Sequence, residues 1–459
     1  MKIHPDSYFL RVRNQTIMSK RRQPLPTEPV RARIESLTHD GRGVTHIDGK
    51  TVFVDGALAG EEVEFQYIAR QRRYDEAKTI QVIEASADRV TARCAHFGVC
   101  GGCALQHVRE SAQIAAKQKA LLDDLERIGH VKPKHVLSAL TGPSWGYRRK
   151  ARLAVKYVIK KERVLVGFRE KHSHYLADIA HCEVLYPPVA KLLPELTALV
   201  TALSIKEQIP QIEVAVGDNA TALIVRHLAP FNDADRVLLT DFAQRYAIQL
   251  YLQSGGLDSV ALLWPEQGVL TYKLERHNVE FEFRPTLFTQ VNAEMNALMV
   301  DRALELLDVQ PQDQVLDLFC GLGNFTLPIA RRAAHVAGVE GDAGLVQTAR
   351  DNAQHNAITN VDYHASNLGE DVMIYPWARK TYDKILLDPP RSGAHELVQQ
   401  AALWTAPRVV YVSCNPATLA RDAGVLVNER GYRLISAGVM DMFPHTAHVE
   451  SIALFQKPG

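Results

Sequence analysis

Hydrophobic and polar residues follow three rhythms along this chain. Residues 28–88 alternate: Val30, Ala32 and Ile34 in "PVRARIESL", then Val63, Phe65 and Tyr67 in "EEVEFQYIARQRRY". "HDGRGV" and "IDGK" are Asp-Gly turns, and "TVFV" follows the second. Short period-two strands joined by such turns predict a small OB-like β-barrel. Residues 89–283 mix strands and helices with no dominant period. Their clearest element is the helix "ESAQIAAKQKALLDDLERIG", apolar at Ile114, Leu121, Leu122 and Leu125 and ended by Gly129. From Gln290 the helix "NAEMNALMVDRALELL" leads into strands "QVLDLF", "HVAGVE", "VDYHAS", "YDKILLD" and "RVVYVSC", with helices between most of them. That alternation predicts a parallel sheet with helices on both faces.

Four segments follow: a basic tail over 1–27, the barrel over 28–88, a central region over 89–283, and an α/β domain over 284–459. The tail holds six Lys/Arg against Asp6 and closes at Pro24 and Pro26, and Met18 is an alternative start to Met1. The whole chain of 459 residues is 46% hydrophobic and 23% charged, which excludes a disordered chain. No signal peptide or apolar run long enough for a bilayer is found, so the expected place is the cytoplasm, with no membrane partner. Net charge is only +1, but Trp145–Tyr175 carries ten Lys/Arg and two Asp/Glu. Arg148, Arg149, Lys150 and Arg152 beside Trp145 and Tyr147 suit a polyanion with bases to stack, and Arg70, Arg72, Arg73 and Tyr74 suit the same partner on the barrel. A solvated face is the plain alternative.

Three of the six cysteines lie in "CAHFGVCGGC": Cys94, Cys100 and Cys103. Thiols this close, with glycines that let the backbone curl, can face one metal centre. Cys182 is the remaining cysteine of the central region. Iron–sulfur and zinc both accept four thiolates, and His96, His107 and His181 are substitute ligands for zinc.

"VLDLFCGLGNFTLPIA" reads as strand, glycine turn and helix, with Gly321 and Gly323 opening the backbone to a ligand. Glu340 ends the next strand, where a carboxylate can hold ribose hydroxyls. Thr326 stands where a dinucleotide fingerprint has its third glycine, so S-adenosylmethionine, which lacks a pyrophosphate, fits better. "LLDPPR" ends a strand at Asp388 on the edge where open α/β sheets place their chemistry.

The strand "VVYVSC" ends at the same edge with Cys414, followed by Asn415-Pro416. C5 of uracil is a poor nucleophile, and a thiolate adding at C6 turns the ring into an enolate with density on C5. A base must then remove the C5 proton. "HTAHVES" offers Glu450, a carboxylate among apolar strand residues, with His448 as the alternative.

In this order, "DLFCGLGNF", "LLDPPR", "VVYVSCNP" and "HTAHVES" resemble the RNA uracil-C5 methyltransferase family, and the cysteine loop with an N-terminal TRAM barrel is similar to its branch acting on 23S rRNA. The resemblance covers residues 28–459. It implies a multi-domain α/β chain: an OB-like TRAM barrel, a central α+β iron–sulfur domain and a Rossmann-like class I methyltransferase. It implies a [4Fe–4S] cluster on Cys94, Cys100, Cys103 and Cys182. It implies S-adenosyl-L-methionine contacts from Gln290, Phe319, Asn324, Glu340, Asn367 and Asp388, with Cys414 as nucleophile and Glu450 as proton acceptor. The expected partner is ribosomal RNA and the expected state a monomer. Methylation of a tRNA or another rRNA uridine is the nearest alternative. A TRAM-containing radical enzyme and an RNA-binding assembly factor are alternatives of other classes.

Overall fold

The structure, a computed structural model, describes residues 25–38 and 40–458, so the expected basic tail falls outside them except for its last residues. The backbone divides into a small unit ending at Ser86 and a large unit over Ala87–Gly459 that also takes in residues 39–41.

In the small unit six strands form one sheet in the order Val30–Arg33, Glu62–Arg70, Tyr74–Glu84, Lys50–Asp55, Gly43–Ile47, Ser36–Leu37. Its two edges are consecutive pieces of chain, Val30–Arg33 and Ser36–Leu37, so the sheet closes on itself and leaves no long free edge. Alternation fills the interior: Ile34, Val52, Val54, Val63, Phe65 and Tyr67 are buried. Both turn residues of "IDGK", Asp48 and Gly49, have positive φ, as the tight hairpin expected from the sequence requires.

The large unit holds two large sheets and a hairpin. One six-stranded sheet runs Val260–Trp264, Gln249–Gln253, Thr221–Arg226, Gln211–Val216, Lys150–Val158, Arg163–Gly167, with Leu193–Ala202 and Asp233–Arg245 sharing its core. The other has eight strands: Val361–Ala365, His335–Glu340, Gln314–Leu318, Lys384–Leu387, Arg408–Ser413, Glu450–Gln456, Arg433–Met440 and His135–Val136. Its first five strands are parallel, and Glu450–Gln456 runs antiparallel to both neighbours. Successive residues of each strand feed opposite cores. Val410 and Val412 face the helix Ala293–Leu307, while Val409 and Tyr411 face the layer that includes Leu397, Trp404 and Leu419. The hairpin Leu270–Leu274/Val279–Phe283 buries Leu270, Phe281 and Phe283 in the first of these cores, together with Met295 and Met299.

Two expectations change on inspection. The helix Glu110–Arg127 buries Gln113, Lys117, Leu121 and Leu125, a stripe of period four, whereas Ile114 and Leu122 are only partly covered. Half of that stripe is polar because it faces hydrogen-bonding backbone rather than a core. Lys117 Nζ donates to Asp441 Oδ1 at 2.7 Å and to the Phe443 carbonyl at 2.9 Å. Gln113 accepts from the His445 backbone N–H at 3.0 Å. Gly129 after this helix is needed for proximity, since a Cβ there would lie 2.3 Å from the Ala420 carbonyl of the helix Pro416–Asn428.

The basic stretch at 145–152 is also less exposed than its composition suggests. Tyr147 is buried and donates to the Pro444 carbonyl at 3.1 Å. Lys150 turns inward to the Pro285 and Leu287 carbonyls, and burial lowers its pKa to about 8. Trp145 stacks on His445 with ring centroids 3.8 Å apart. Among the described residues, no helix is long and apolar enough to cross a membrane.

The Lys117–Asp441 pair is almost dry, with side chains 3% and 11% exposed. Lys117→Met leaves a buried carboxylate uncompensated and is expected to cost about 3–5 kcal/mol, whereas Lys117→Met with Asp441→Leu recovers most of it. Denaturant melts of the three proteins check the ordering.

Candidate active site

Register brings the site together. Leu318 pairs with Val339 and Leu387, and Leu387 pairs with Tyr411, all in parallel. Phe319, Glu340, Asp388 and Cys414 therefore leave the sheet at one edge. Ser413 pairs with Ser451 across the antiparallel pair, so Cys414 and Glu450 are the next residues in register. A cleft of about 740 Å³ opens at this edge. All eight residues expected to be catalytic or cofactor-binding line it: Gln290, Phe319, Asn324, Glu340, Asn367, Asp388, Cys414 and Glu450. That volume suits a nucleoside-sized ligand.

Local chemistry explains the display of each group. Asn415 caps the helix Pro416–Asn428 by accepting from the Ala417 N–H, and Pro416 takes the first helical turn, so Cys414 sits at the bend. The Asn415 amide also donates to the Arg391 carbonyl at 3.1 Å, tying this bend to the "DPPR" loop. Buried Asp422 holds the far end of that loop, accepting from the Ala394 N–H and the Tyr411 hydroxyl, each at 2.7 Å. Phe319 has φ +63, a conformation unusual for an aromatic residue and common at ligand sites. Thr326 donates to buried Asp317 at 2.5 Å, which accounts for a hydroxyl where a dinucleotide loop has glycine.

The Glu340 carboxylate accepts from the N–H groups of Gly321 at 3.1 Å, Gly341 at 2.8 Å and Asp342 at 3.2 Å. These bonds fix its orientation, and the residue lines the cleft. Asn367 lies at the exposed rim, and its amide is used locally by the Gly369 N–H and Glu370 Oε1. Its signal as a ligand residue is correspondingly the weakest of the eight.

Three acids share the deep end of the cleft. Burial pushes Asp388 up to about 7 and Glu450 well above the usual carboxylate range, the latter with help from Asp388. Burial also raises the Cys414 thiol, and Glu450 and Asp388 add to it. Arg391 opposes the shifts of Cys414 and Glu450 and is the one cationic side chain among the described residues lining the cleft. Residue order alone does not mark it as a site residue. Its guanidinium donates to His448 Nδ1 at 2.9 Å. Burial and Arg391 lower the His448 pKa. A histidine whose basic nitrogen already accepts from arginine is a poor proton acceptor, which favours Glu450 over His448 as the base.

A second cavity of about 420 Å³ is lined by Cys94, Cys100, Cys103 and Cys182. All four thiols are free. Burial raises the pKa of Cys100 and Cys182, and pushes Cys103 up to about 12, with mutual repulsion among the thiols adding to it. Such a set ionises only against a compensating positive charge. Among the described residues no three His, Cys, Asp or Glu side chains are placed to hold a metal ion, so the expected metal centre is not shown by this arrangement. His96 and His181 lie on the cavity wall beside the thiols. Thr446, Ala447 and His448 line the same cavity, so it adjoins the loop that leads into Glu450.

The chain is similar to known proteins over nearly its whole length. A family model described as tRNA (Uracil-5-)-methyltransferase matches residues 189–458, and a TRAM domain model matches 27–74. The chain is 53% identical over 443 residues to the 23S rRNA (uracil(1939)-C(5))-methyltransferase RlmD of Xanthomonas axonopodis pv. citri, covering 96% of this chain and 100% of that one. The protein of the same name from Nitrosococcus oceani is 53% identical over 439 residues, covering 95% and 98%. Among solved structures, the Pyrococcus abyssi tRNA (uracil-54, C5)-methyltransferase in complex with S-adenosyl-L-homocysteine superposes with a TM-score of 0.72 at 23% identity, over 93% of this chain and 100% of that one. At that identity it supports the fold.

Because Arg391 counters the upward shift of the Cys414 thiol, Arg391→Met is expected to slow iodoacetamide alkylation of Cys414 severalfold near pH 8. The two rates converge at higher pH, where both thiols ionise. Peptide-resolved mass spectrometry separates Cys414 from the other cysteines, and equal rates at all pH values would remove Arg391 from this role.

Proposed function

We propose that this chain, which belongs to the family of RNA uracil-C5 methyltransferases, methylates C5 of one uridine in 23S rRNA. The observation that carries the reading is the cleft itself: Cys414 and Glu450 lie in adjacent register beside Asp388 and Arg391, within the cavity bounded by Phe319, Asn324 and Glu340. The rRNA target is favoured over tRNA by full-length identity to relatives named for 23S rRNA. The cytoplasm is its proposed place, and a monomer its proposed state.

S-adenosyl-L-methionine supplies a methyl group on a cationic sulfur. Glu340, with both oxygens already oriented by backbone N–H groups, holds hydroxyls of the ribose. Gln290, Phe319, Asn324, Asn367 and Asp388 complete the cofactor wall. Cys414 adds as thiolate to C6 of the flipped uracil, forming the C–S bond and an enolate. The enolate's electron pair at C5 then forms the bond to the methyl carbon, whose bond to sulfur breaks with its electrons staying on sulfur, so that S-adenosylhomocysteine is the leaving group. Glu450 removes the C5 proton, the C5–C6 double bond re-forms, and Cys414 leaves as thiolate. Arg391 offsets negative charge on the Cys414 thiolate and the Glu450 carboxylate throughout. The TRAM barrel, with Arg72 and Arg73 exposed, contributes RNA affinity.

The four cysteines suit a [4Fe–4S] cluster in that all four line one cavity of about 420 Å³, larger than a single ion needs. Held by these four residues, a cluster would supply the positive charge that lets the thiols ionise and would tie the cysteine loop to the Cys182 segment. No step of the methyl transfer runs through it.

Three measurements check the proposal. With labelled RNA on a denaturing gel, Glu450→Gln is expected to trap a methylated covalent adduct, and Cys414→Ala to form none. Full turnover by Cys414→Ala overturns the thiolate mechanism, and a trapped adduct in His448→Ala with normal turnover by Glu450→Gln moves the base to His448. Methylation is also expected to fall as pH drops below about 7, because Asp388 and Glu450 stay protonated further up the scale than free carboxyls near about 4. Finally, anaerobically purified protein is expected to be brown with acid-labile sulfide, and stoichiometric zinc without sulfide would remove the cluster assignment.

A further inference from the structure

Tyr272 lies outside every motif, on the hairpin Leu270–Leu274/Val279–Phe283, yet it lines the cofactor cleft. Its hydroxyl donates to Asn324 Oδ1 at 2.9 Å. Asn296, on the helix Ala293–Leu307, forms a reciprocal pair with the same side chain. Its Nδ2 donates to Asn324 Oδ1 at 3.0 Å, and its Oδ1 accepts from Asn324 Nδ2 at 2.9 Å.

A side-chain amide has two lone pairs and two N–H hydrogens. Both lone pairs of Asn324 are therefore taken, and one N–H is used. A single N–H remains for the cleft. The phenol decides this orientation. Desolvation, with Asp218 nearby, raises the Tyr272 pKa well above its usual value, so the hydroxyl keeps its proton and must donate it. With the Asn324 amide turned over, that proton would face an N–H and stay unpaired.

The ring itself is held. It stacks on Phe281 at 4.7 Å with an interplanar angle of 15°. Asn352 exchanges two hydrogen bonds with the Glu282 backbone and donates to the Leu322 carbonyl of the glycine turn at 3.3 Å. Hairpin and glycine turn thus share one clamp.

We propose that Tyr272 is a positioning residue: it fixes Asn324 so that this side chain offers the cofactor a donor and no acceptor, matched to the cofactor's carboxylate. A lone N–H cannot hold the cofactor's ammonium. The hydroxyls, which need an acceptor, are served by Glu340 across the cleft. This rests on the reading that the cleft takes S-adenosylmethionine.

Calorimetry with two ligands tests it: S-adenosylhomocysteine, and methylthioadenosine, which keeps the nucleoside but lacks the amino-acid end. Tyr272→Phe is expected to weaken S-adenosylhomocysteine about fivefold, the worth of one hydrogen bond, and to leave methylthioadenosine unchanged. In turnover its KM for the cofactor rises while kcat at saturation holds. Asn324→Asp keeps the acceptor for Tyr272 and Asn296 Nδ2, loses the N–H that Asn296 Oδ1 accepts, and turns an acceptor to the ligand, so S-adenosylhomocysteine is expected to weaken more than tenfold. Unchanged methylthioadenosine binding certifies that each variant is folded. The proposal is overturned if Asn324→Asp binds S-adenosylhomocysteine as well as wild type does, if Tyr272→Phe weakens both ligands alike, or if it weakens neither. Wild-type protein that binds neither ligand would instead overturn the cofactor reading beneath it.

Discussion

Lys117 buries its ammonium between Asp441 and the Phe443 carbonyl, and the loop between the last two strands of the catalytic sheet takes its course from that contact. The loop has few alternatives once the charge is fixed. Gln113 bonds both the backbone and the ring of His445. The backbone N–H groups of Ala104 and Leu105 both donate to the His445 carbonyl. Trp145 covers the ring, and Tyr147 takes the Pro444 carbonyl. Burial alone would lower the Lys117 pKa, and Asp441 offsets part of it. The same carboxylate that needs a cation supplies the field that keeps the cation charged. Glu450 begins the next strand, so the position of a buried acid at the catalytic edge is set by elements far away in sequence.

At that edge, electrostatics is balanced on one arginine. Three acids face a single guanidinium, and desolvation favours the protonated form of each acid. On the proposed chemistry, a sulfonium entering this space adds a second positive charge and lowers the cost of ionising Cys414 and Glu450 together. Methyl transfer removes that charge, so the proton affinity of Glu450 rises when it has a C5 proton to collect. A permanent second cation could not provide that sequence. Arg391 is tethered by His448, and its charge acts on both Cys414 and Glu450.

Much of this was readable from residue order. Alternation located the barrel strands, and the apolar runs before Phe319, Asp388 and Cys414 located three neighbouring strand ends. Parallel strands with short loops bring their carboxyl ends together whatever the details between them. What could not be read is long-range and polar. Lys117 and Gln113 look like ordinary exposed helix residues until the partner loop, over 320 residues away, is in place. Arg391 reads only as the residue after two prolines. Tyr272 sits on a hairpin with no pattern to connect it to a glycine turn, and its pairing with Asn324 spans 52 residues. Tyr147 and Lys150 misled for the complementary reason, since a basic and aromatic stretch does not reveal which carbonyls will wait for it inside.

One stretch of backbone, residues 446–448, forms part of the wall of the cysteine cavity, and His448 within it bonds the arginine of the cleft. Two cavities joined through one hydrogen bond, His448 of the first to Arg391 of the second, constrain each other over evolutionary time. A lineage that discards its cysteines has to rebuild the brace on this loop in the same passage, by packing or by new hydrogen bonds. A lineage that alters the loop has to keep both sides satisfied. In this architecture the four thiols and the catalytic edge should therefore be inherited together, and their separation in any descendant should be marked by compensating changes at Trp145, Gln113 and the residues that contact His445.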